Sequence, residues 1–110
     1  MVSVEIDLDS VDDAKSFHAA FSSALGFSDH HGTNMNAWED SMSDLSRPGV
    51  AGMTTVQVPD GEDLVLTLIG GDGFRQRQPD LFAALWESTA SVNRSKVSMH
   101  GAPRILLLPL

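Results

Sequence analysis

The sequence predicts an α/β fold in which helices pack on a small three-stranded parallel sheet. Residues 2–8, 64–69 and 104–108 have the apolar patterns of strands, and the last of these predicts a buried strand that stops at Pro109. Segments with apolar residues at helical spacing lie between the strands, and this order favours parallel pairing through right-handed crossovers. Because 110 residues can bury one core, we expect a single domain over residues 1–110.

The first strand and the first helix are predicted within the first 26 residues. Apolar and polar residues alternate along a half-buried strand, with apolar side chains at Val2, Val4, Ile6 and Leu8. Ser10, followed by Asp13 three residues later, is a helix-start signal. The apolar stripe of this helix contains Ala14, Phe17, Phe21, Ala24 and Leu25. Gly26 ends it, because glycine readily takes the positive φ at which helices stop.

A second helix is predicted to begin at Asn34, a favourable N-cap. Steps of three, four and three residues place on its buried face Met35, Trp38, Met42 and Leu45. At about 100° per residue, the opposite face contains Asn36, Asp40 and Asp44, with Glu39 beside them. The sequence therefore predicts an amphipathic helix with an acidic outer face.

The second half of the chain is predicted to add strands and a third helix. An extra strand or hairpin is an option within residues 53–69, and the apolar run Leu64–Ile69 is typical of a strand covered on both faces. Gly70–Gly73 predicts a polar loop, and Pro79 is a good first residue for the third helix. The predicted core face of that helix contains Leu81, Phe82, Leu85, Trp86 and Val92. Residues 88–103 show no clear pattern beyond the end of a helix and a loop.

Composition and charge narrow the classes of function. The net charge is −8, and the excess lies in the first 45 residues, where nine acids accompany a single base, Lys15. Such a charge disfavours nucleic acids and anionic membranes and attracts basic partners, although acidity also serves solubility. With no cysteine, disulfides and thiolate zinc sites are excluded. Without a signal-peptide pattern or a membrane-length apolar run, we expect a cytoplasmic protein.

The histidines give only a weak signal for metal binding or catalysis. His30 and His31 are adjacent and have no HxH or HxxxH spacing, so they suit chelation of one metal ion poorly. A nuclease that used them with Glu39 for proton transfer would also need cations for the phosphate. Residues 27–46 contain no lysine or arginine. We therefore expect neither a metal nor a cofactor.

Two further catalytic patterns are incomplete. Ser28, His30 and Asp40 lack the turn motif that presents a nucleophilic serine. The glycines of Gly70–Gly73 follow a strand, but Gln76 stands where a dinucleotide-binding loop needs its third glycine, and no P-loop lysine follows. We do not expect an enzyme.

The segment from Gly32 to Met42 resembles the barstar family. In that family a loop leads through Gly-x-Asn into a helix that carries a key aspartate. The matching positions are Gly32, Asn34, Met35, Ala37, Asp40 and Met42. The order of helices and strands over most of the chain is also similar, although residues 47–62 and 88–103 are longer than the family minimum.

This resemblance implies a barstar-like fold and a cytoplasmic immunity or antitoxin protein of a bacterium. Such a protein is a stoichiometric inhibitor that forms a 1:1 complex with a basic, secreted ribonuclease. The carboxylate of Asp40 would imitate the RNA phosphate in the nuclease active site. The partner-binding residues that the resemblance implies are Asp40, Asn36, His30, Glu39, His31, Gly32, Asp44 and, more loosely, Glu87.

Several positions depart from the best-known member of the family. Asn36 replaces an acidic contact, the histidine pair replaces tyrosines, and Glu39 takes the place of an aromatic residue. These changes bear on which nuclease is bound more than on the mechanism. Two alternatives stay open: an interaction module of the same fold with a non-nuclease partner, and a small enzyme whose turnover depends on His30 or Asp40.

The histidine pair predicts a pH-dependent affinity for the partner. If His30 or His31 contacts the partner, the dissociation constant should change between about pH 5 and 7, where histidine gains its charge. Calorimetric titration across this range measures the change. An affinity that stays flat while the carboxylates remain ionised would show that neither histidine contributes binding energy.

Overall fold

The structure, a computed structural model, describes residues 2–26, 34–43, 62–97 and 104–110. Within these ranges the elements follow the order β1 (Val2–Asp7), α1 (Ala14–Leu25), α2 (Met35–Ser43), β2 (Leu64–Ile69), α3 (Gly71–Arg77), α4 (Pro79–Val97) and β3 (Ile105–Pro109). The strands form a parallel sheet in the order β1–β2–β3. The predicted α/β class and three-stranded parallel sheet are therefore confirmed.

Some predictions are not tested by these ranges. The extra strand proposed before β2 falls mainly on residues 53–61, outside the described residues, as does Leu45 of the second helix. That residues 1–110 form one domain stays a prediction. In the ranges given above, no helix combines the length and hydrophobicity that crossing a membrane requires.

The core lies against one face of the sheet. Since alternate residues of a strand point to opposite faces, β2 directs Leu64, Leu66 and Leu68 into the core. Ile6 of β1 and Ile105 of β3 flank this row. The helices complete the core with Phe17, Phe21, Leu25, Trp38, Met42, Phe74, Leu85 and Val92. Burial of this continuous apolar surface is the main stabilising contribution to the fold.

The opposite face of the sheet is only partly covered. The side chains of β2 that point there are half-buried: Val65, Thr67 and Ile69. On β3, Leu106 is 44% exposed and Leu108 is 49% exposed. The prediction that Leu64–Ile69 is covered on both faces is therefore only partly right, and the prediction that the last strand is buried is wrong for the face that carries Leu106 and Leu108. An apolar run does not reveal how many layers cover a strand. Also, β3 extends through Pro109 rather than stopping before it.

Asp13, and not Ser10, caps α1. The Ser16 backbone N–H donates to the Asp13 carboxylate at 2.8 Å, and the Ser16 hydroxyl accepts from the Asp13 N–H at 3.2 Å. The pKa of Asp13 is held below the ordinary aspartate value of 3.8 because the Ser16 backbone N–H and, at 2.8 Å, the Ser16 hydroxyl both donate to its carboxylate. The cap therefore stabilises the helix above that pH and weakens as acid protonates the carboxylate. Gly26 ends α1 at φ 66°, as predicted.

The predicted polar loop over Gly70–Gly73 is wrong, because α3 begins at its second residue. Gly70 precedes the helix at φ +70°, and a Cβ there would overlap the Asp9 side chain. Phe74 is fully buried and stacks on Phe17 with 6.0 Å between ring centroids. The glycines of this segment disfavour a helix when the sequence is considered alone. Burial of the Phe74 ring stabilises the helix in the folded protein.

The third predicted helix, α4, starts at Pro79 as expected but runs on to Val97. Much of the stretch for which the sequence showed no clear pattern is therefore helical, and Val92 is buried as predicted. Trp86 is 44% exposed, so its predicted place in the core is wrong. It lies one residue beyond buried Leu85, at the edge of the apolar stripe, where its ring contacts Phe82 at 5.9 Å between centroids.

Two side chains at the junction of α3 and α4 hold the connection between β1 and α1. The Arg77 guanidinium donates to the main-chain oxygens of Leu8 at 2.9 Å, Val11 at 3.3 Å and Asp9 at 3.4 Å. The Gln78 amide donates to the Asp12 oxygen at 2.7 Å. Main-chain carbonyls of the loop between β1 and α1, which lie outside helices and strands, accept hydrogen bonds in this way. The loop is thereby held by residues more than 60 positions away in the sequence.

Replacing Arg77 should weaken the fold measurably. In Arg77→Ala the guanidinium bonds to the loop are lost, and we expect the free energy of unfolding to fall by about 1–2 kcal/mol, a range that allows for the solvent exposure of Arg77. Urea denaturation measures it. Arg75→Ala is the matched control, because among the described residues Arg75 pairs with Asp72, which is itself exposed. Equal effects of the two substitutions would contradict the role given to the loop contacts.

Candidate functional site

The helix α2 begins at a side-chain cap. The Asn34 side-chain oxygen accepts from the Ala37 backbone N–H at 2.8 Å, and the Asn34 carbonyl accepts from Trp38 N–H at 3.0 Å. The first bond satisfies one of the backbone donors that every helix start leaves unpaired. The predicted N-cap is confirmed. This cap sets where the helix begins and hence which side chains share each face.

The inner face of α2 is packed into the core. Trp38, Ser41 and Met42 are buried there, as the spacing predicted for the tryptophan and the methionine. The Trp38 ring meets Phe21 of α1 edge-on, with 5.6 Å between centroids and 83° between planes. The helix also packs against α4. Because a fully buried indole has few alternative rotamers in a dense core, these contacts fix the rotation of α2 about its axis.

The outer face of α2 presents polar and acidic groups. Asn36 and Asp40 are exposed and stand one turn apart, so their side chains lie on one line along the helix. Glu39 is half-buried beside them. We call Asn36, Glu39 and Asp40 the acidic face of α2. The core contacts on the other side of the helix hold this face outward.

Nothing in the described part of the chain neutralises this face. The helix contains no lysine or arginine. The ion pairs seen in the described ranges join Arg75 to Asp72 at 2.7 Å and Arg104 to Asp63 at 3.4 Å. They do not involve Glu39 or Asp40. The acidic face of α2 therefore has carboxylates available to cations of a partner.

The structure brings together only part of the predicted site. Asn36, Glu39 and Asp40 share α2, and Glu87 is exposed on α4, the helix that packs against α2. His30, His31, Gly32 and Asp44 lie outside the described residues. Their part in a site stays a prediction.

The arrangement of α2 suits binding of a cationic surface. Within the described ranges, no group of three or more histidine, aspartate or glutamate side chains is placed to hold a metal ion. On α2 itself there is no cation to stabilise a developing negative charge, which a phosphoryl-transfer site requires. An exposed carboxylate on a rigid helix can instead accept charge-assisted hydrogen bonds from a partner.

The sequence analysis did not identify one residue that helps to position the acidic face of α2. Phe21 was predicted only as a core residue of α1, but its ring supports Trp38 directly. The periodic pattern places each residue on an apolar face, and it contains no information on which two faces meet. A positioning role of this kind is visible only once the helices are packed.

Removing the cap should destabilise the helix that carries the site. We expect Asn34→Ala to lower the free energy of unfolding by about 1 kcal/mol, because a backbone N–H loses its acceptor, while Asn34→Asp keeps the bond. Thermal and urea denaturation measure both variants. Asn36→Ala, two residues along on the exposed face, serves as control and should stay within about 0.5 kcal/mol of wild type. Equal losses of unfolding free energy in Asn34→Ala and Asn36→Ala would show that the cap does not contribute to stability.

Comparison with known proteins agrees with the resemblance seen in the sequence. Residues 1–106 match the model of the family described as barstar (barnase inhibitor). No curated protein matches the chain. The family match spans nearly all of the chain, from β1 to β3, so it includes α2 and its acidic face. This chain belongs to the barstar family, a family of ribonuclease inhibitors rather than enzymes.

Proposed function

We propose that this chain is a stoichiometric inhibitor of a basic microbial ribonuclease and blocks the nuclease active site with the acidic face of α2. One observation carries the proposal: Asp40 is exposed on a helix whose inner face is locked into the core, in a chain that belongs to the barnase-inhibitor family. Family membership supplies the class of partner. The exposure of Asp40 on a fixed helix supports the choice of this surface.

The chemistry of the proposed contact follows from what a ribonuclease must bind. Its active site holds cationic groups that bind the RNA phosphate and stabilise the charge that develops on it. The carboxylate of Asp40 imitates that phosphate and accepts charge-assisted hydrogen bonds from those groups. Because the complex excludes water, leaving such cations unpaired would be costly. Net charge adds long-range attraction, since an inhibitor at −8 is drawn to a basic enzyme.

The neighbours of Asp40 set which nuclease fits. Asn36 is neutral, so it offers hydrogen bonds without charge. Glu39 is half-buried and adds a second carboxylate close to the first. A nuclease that places an additional donor or cation opposite Glu39 therefore fits this chain best. In the same proposal, His30, His31, Gly32, Asp44 and Glu87 are further contacts around this centre.

The proposed role is immunity. The chain would be kept in the bacterial cytoplasm, where it binds the nuclease 1:1 and protects the producing cell before secretion. No cofactor, nucleic acid or membrane takes part in this proposal. A second candidate function is an interaction module with a non-nuclease partner. It is favoured by the neutral Asn36 and by Glu39, which stands where the best-known family member has an aromatic residue. It predicts binding that leaves RNA cleavage unchanged.

Asp40→Ala should weaken capture of the nuclease. Tagged wild-type chain, incubated with lysate and culture medium of the source organism, should retain a small basic ribonuclease that mass spectrometry can identify. Purified nuclease should then lose activity at one equivalent of inhibitor. For Asp40→Ala we expect at least about tenfold weaker binding, since a hydrogen bond to a charged group is worth about 1.5 kcal/mol or more.

Glu5→Gln is the matched control, because it removes one exposed carboxylate from β1 and leaves α2 unchanged. It should inhibit like wild type. Equal losses in the two variants would indicate a general charge effect and not a contact at Asp40. A bound partner whose RNA cleavage is untouched at saturation, or a partner that is no nuclease, would contradict the inhibitor proposal.

A further inference from the structure

The outer edge of β3 has a defined set of hydrogen-bonding groups. The bonds to β2 use alternate residues: Leu64 N–H donates to the Arg104 oxygen at 2.8 Å, and Leu110 N–H donates to the Leu68 oxygen at 3.1 Å. In a strand, the N–H and C=O of one residue point to the same side, and this side alternates along the chain. The backbone groups of the intervening residues therefore point away from β2, namely those of Ile105, Leu107 and Pro109.

A side chain of α4 completes the hydrogen bonds of the first of these residues. The Asn93 amide oxygen accepts from Ile105 N–H at 2.9 Å, and its amide nitrogen donates to the Ile105 carbonyl at 3.0 Å. One carboxamide thus makes the two bonds that a neighbouring strand would make. At the other end of β3, Pro109 has no N–H to donate. Within β3, Leu107 remains the residue that presents both a donor and an acceptor at this edge.

The side chains of β3 make this edge attractive to another strand. Leu106 and Leu108 are 44% and 49% exposed and lie on the same face, and Leu110, directly after the strand, is 62% exposed. Edge strands are usually protected by charged side chains, proline or bulges, and this row has no charge. In antiparallel pairing centred on Leu107, the leucine at 106 of one copy would face the leucine at 108 of the other. In this pairing the two Leu107 residues exchange two hydrogen bonds, and the Ile105 N–H of each copy donates to the Pro109 carbonyl of the other. A second copy of this chain therefore pairs with the edge through four hydrogen bonds and through the apolar row.

We propose that Asn93 keeps the chain from pairing with a second copy of itself by occupying the β3 edge. The amide must leave Ile105 before another strand can bind there. Without it, two β3 strands would pair antiparallel and join two sheets into one of six strands. The inference is independent of the proposed inhibitor function, since no residue of the acidic face of α2 takes part.

The first test measures amide hydrogen exchange in the wild-type protein by NMR. The Ile105 N–H should be protected, because Asn93 accepts its bond, whereas the Leu107 N–H at the same edge should exchange at least tenfold faster. In Asn93→Gln, where an added methylene displaces the amide, protection of Ile105 should fall at dilutions at which the variant is monomeric. Slow exchange at Leu107 in the wild type would overturn the proposal, since the edge would already be covered by something else.

The second test measures self-association by sedimentation velocity from micromolar to millimolar concentration. Asn93→Ala should dimerise, while wild type and Arg94→Ala, a change at the exposed neighbour on α4, should stay monomeric. Adding Leu108→Lys to Asn93→Ala should restore the monomer, because a charge then stands in the apolar row. Should Asn93→Ala fail to fold, Asn93→Gln takes its place in both experiments.

Two outcomes would overturn the proposal in this assay. A monomeric Asn93 variant at millimolar concentration would show that the amide is not what prevents pairing. A dimer that persists with Leu108→Lys would place the contact on another surface. Both outcomes leave the inhibitor function untouched, since nuclease binding is measured separately.

Discussion

The structure depends on the burial of the β2 leucines in the middle of the sheet. Leu64, Leu66 and Leu68 are at most 1% exposed, and β1 and β3 both pair with the strand that carries them. Parallel pairing on both sides requires a crossover before and after β2, so the helices must return across the sheet. Their aromatic side chains fill the space above the leucines. The helix with the acidic face is held in place by this layer.

Polar side chains complete the backbone hydrogen bonding at several places where regular structure stops. Asp13 and Asn34 cap helices, Arg77 holds a loop, and Asn93 occupies a strand edge. Each satisfies main-chain groups that would otherwise be left without a partner, and unpaired groups are costly when buried. The exposed carboxylate of Asp40 has no such task in the described structure. This division between structural and available polar groups supports a binding role for the acidic face of α2.

Much of the fold and half of the proposed site follow from local patterns. The three strands, the start of α4 and the two faces of α2 were predicted because alternation and helical spacing record which side chains face a core. The family resemblance rested on a short run around Gly32 and Asp40 and was confirmed by a match over residues 1–106. The positions of Asn36, Glu39 and Asp40 on one helix follow from spacing alone.

The sequence by itself determined the fold class, the family and the polarity of α2, since these depend on residue order over short spans. Only the tertiary structure decided that Gly71–Arg77 is helical, that Trp86 is exposed and that Asn93 reaches Ile105. The helix α3 forms because Phe74 is buried against distant Phe17, and Arg77 bonds to residues 66 to 69 positions away. Contacts between distant segments produce no periodic pattern in the sequence, so they can be recognised only once the segments are packed together.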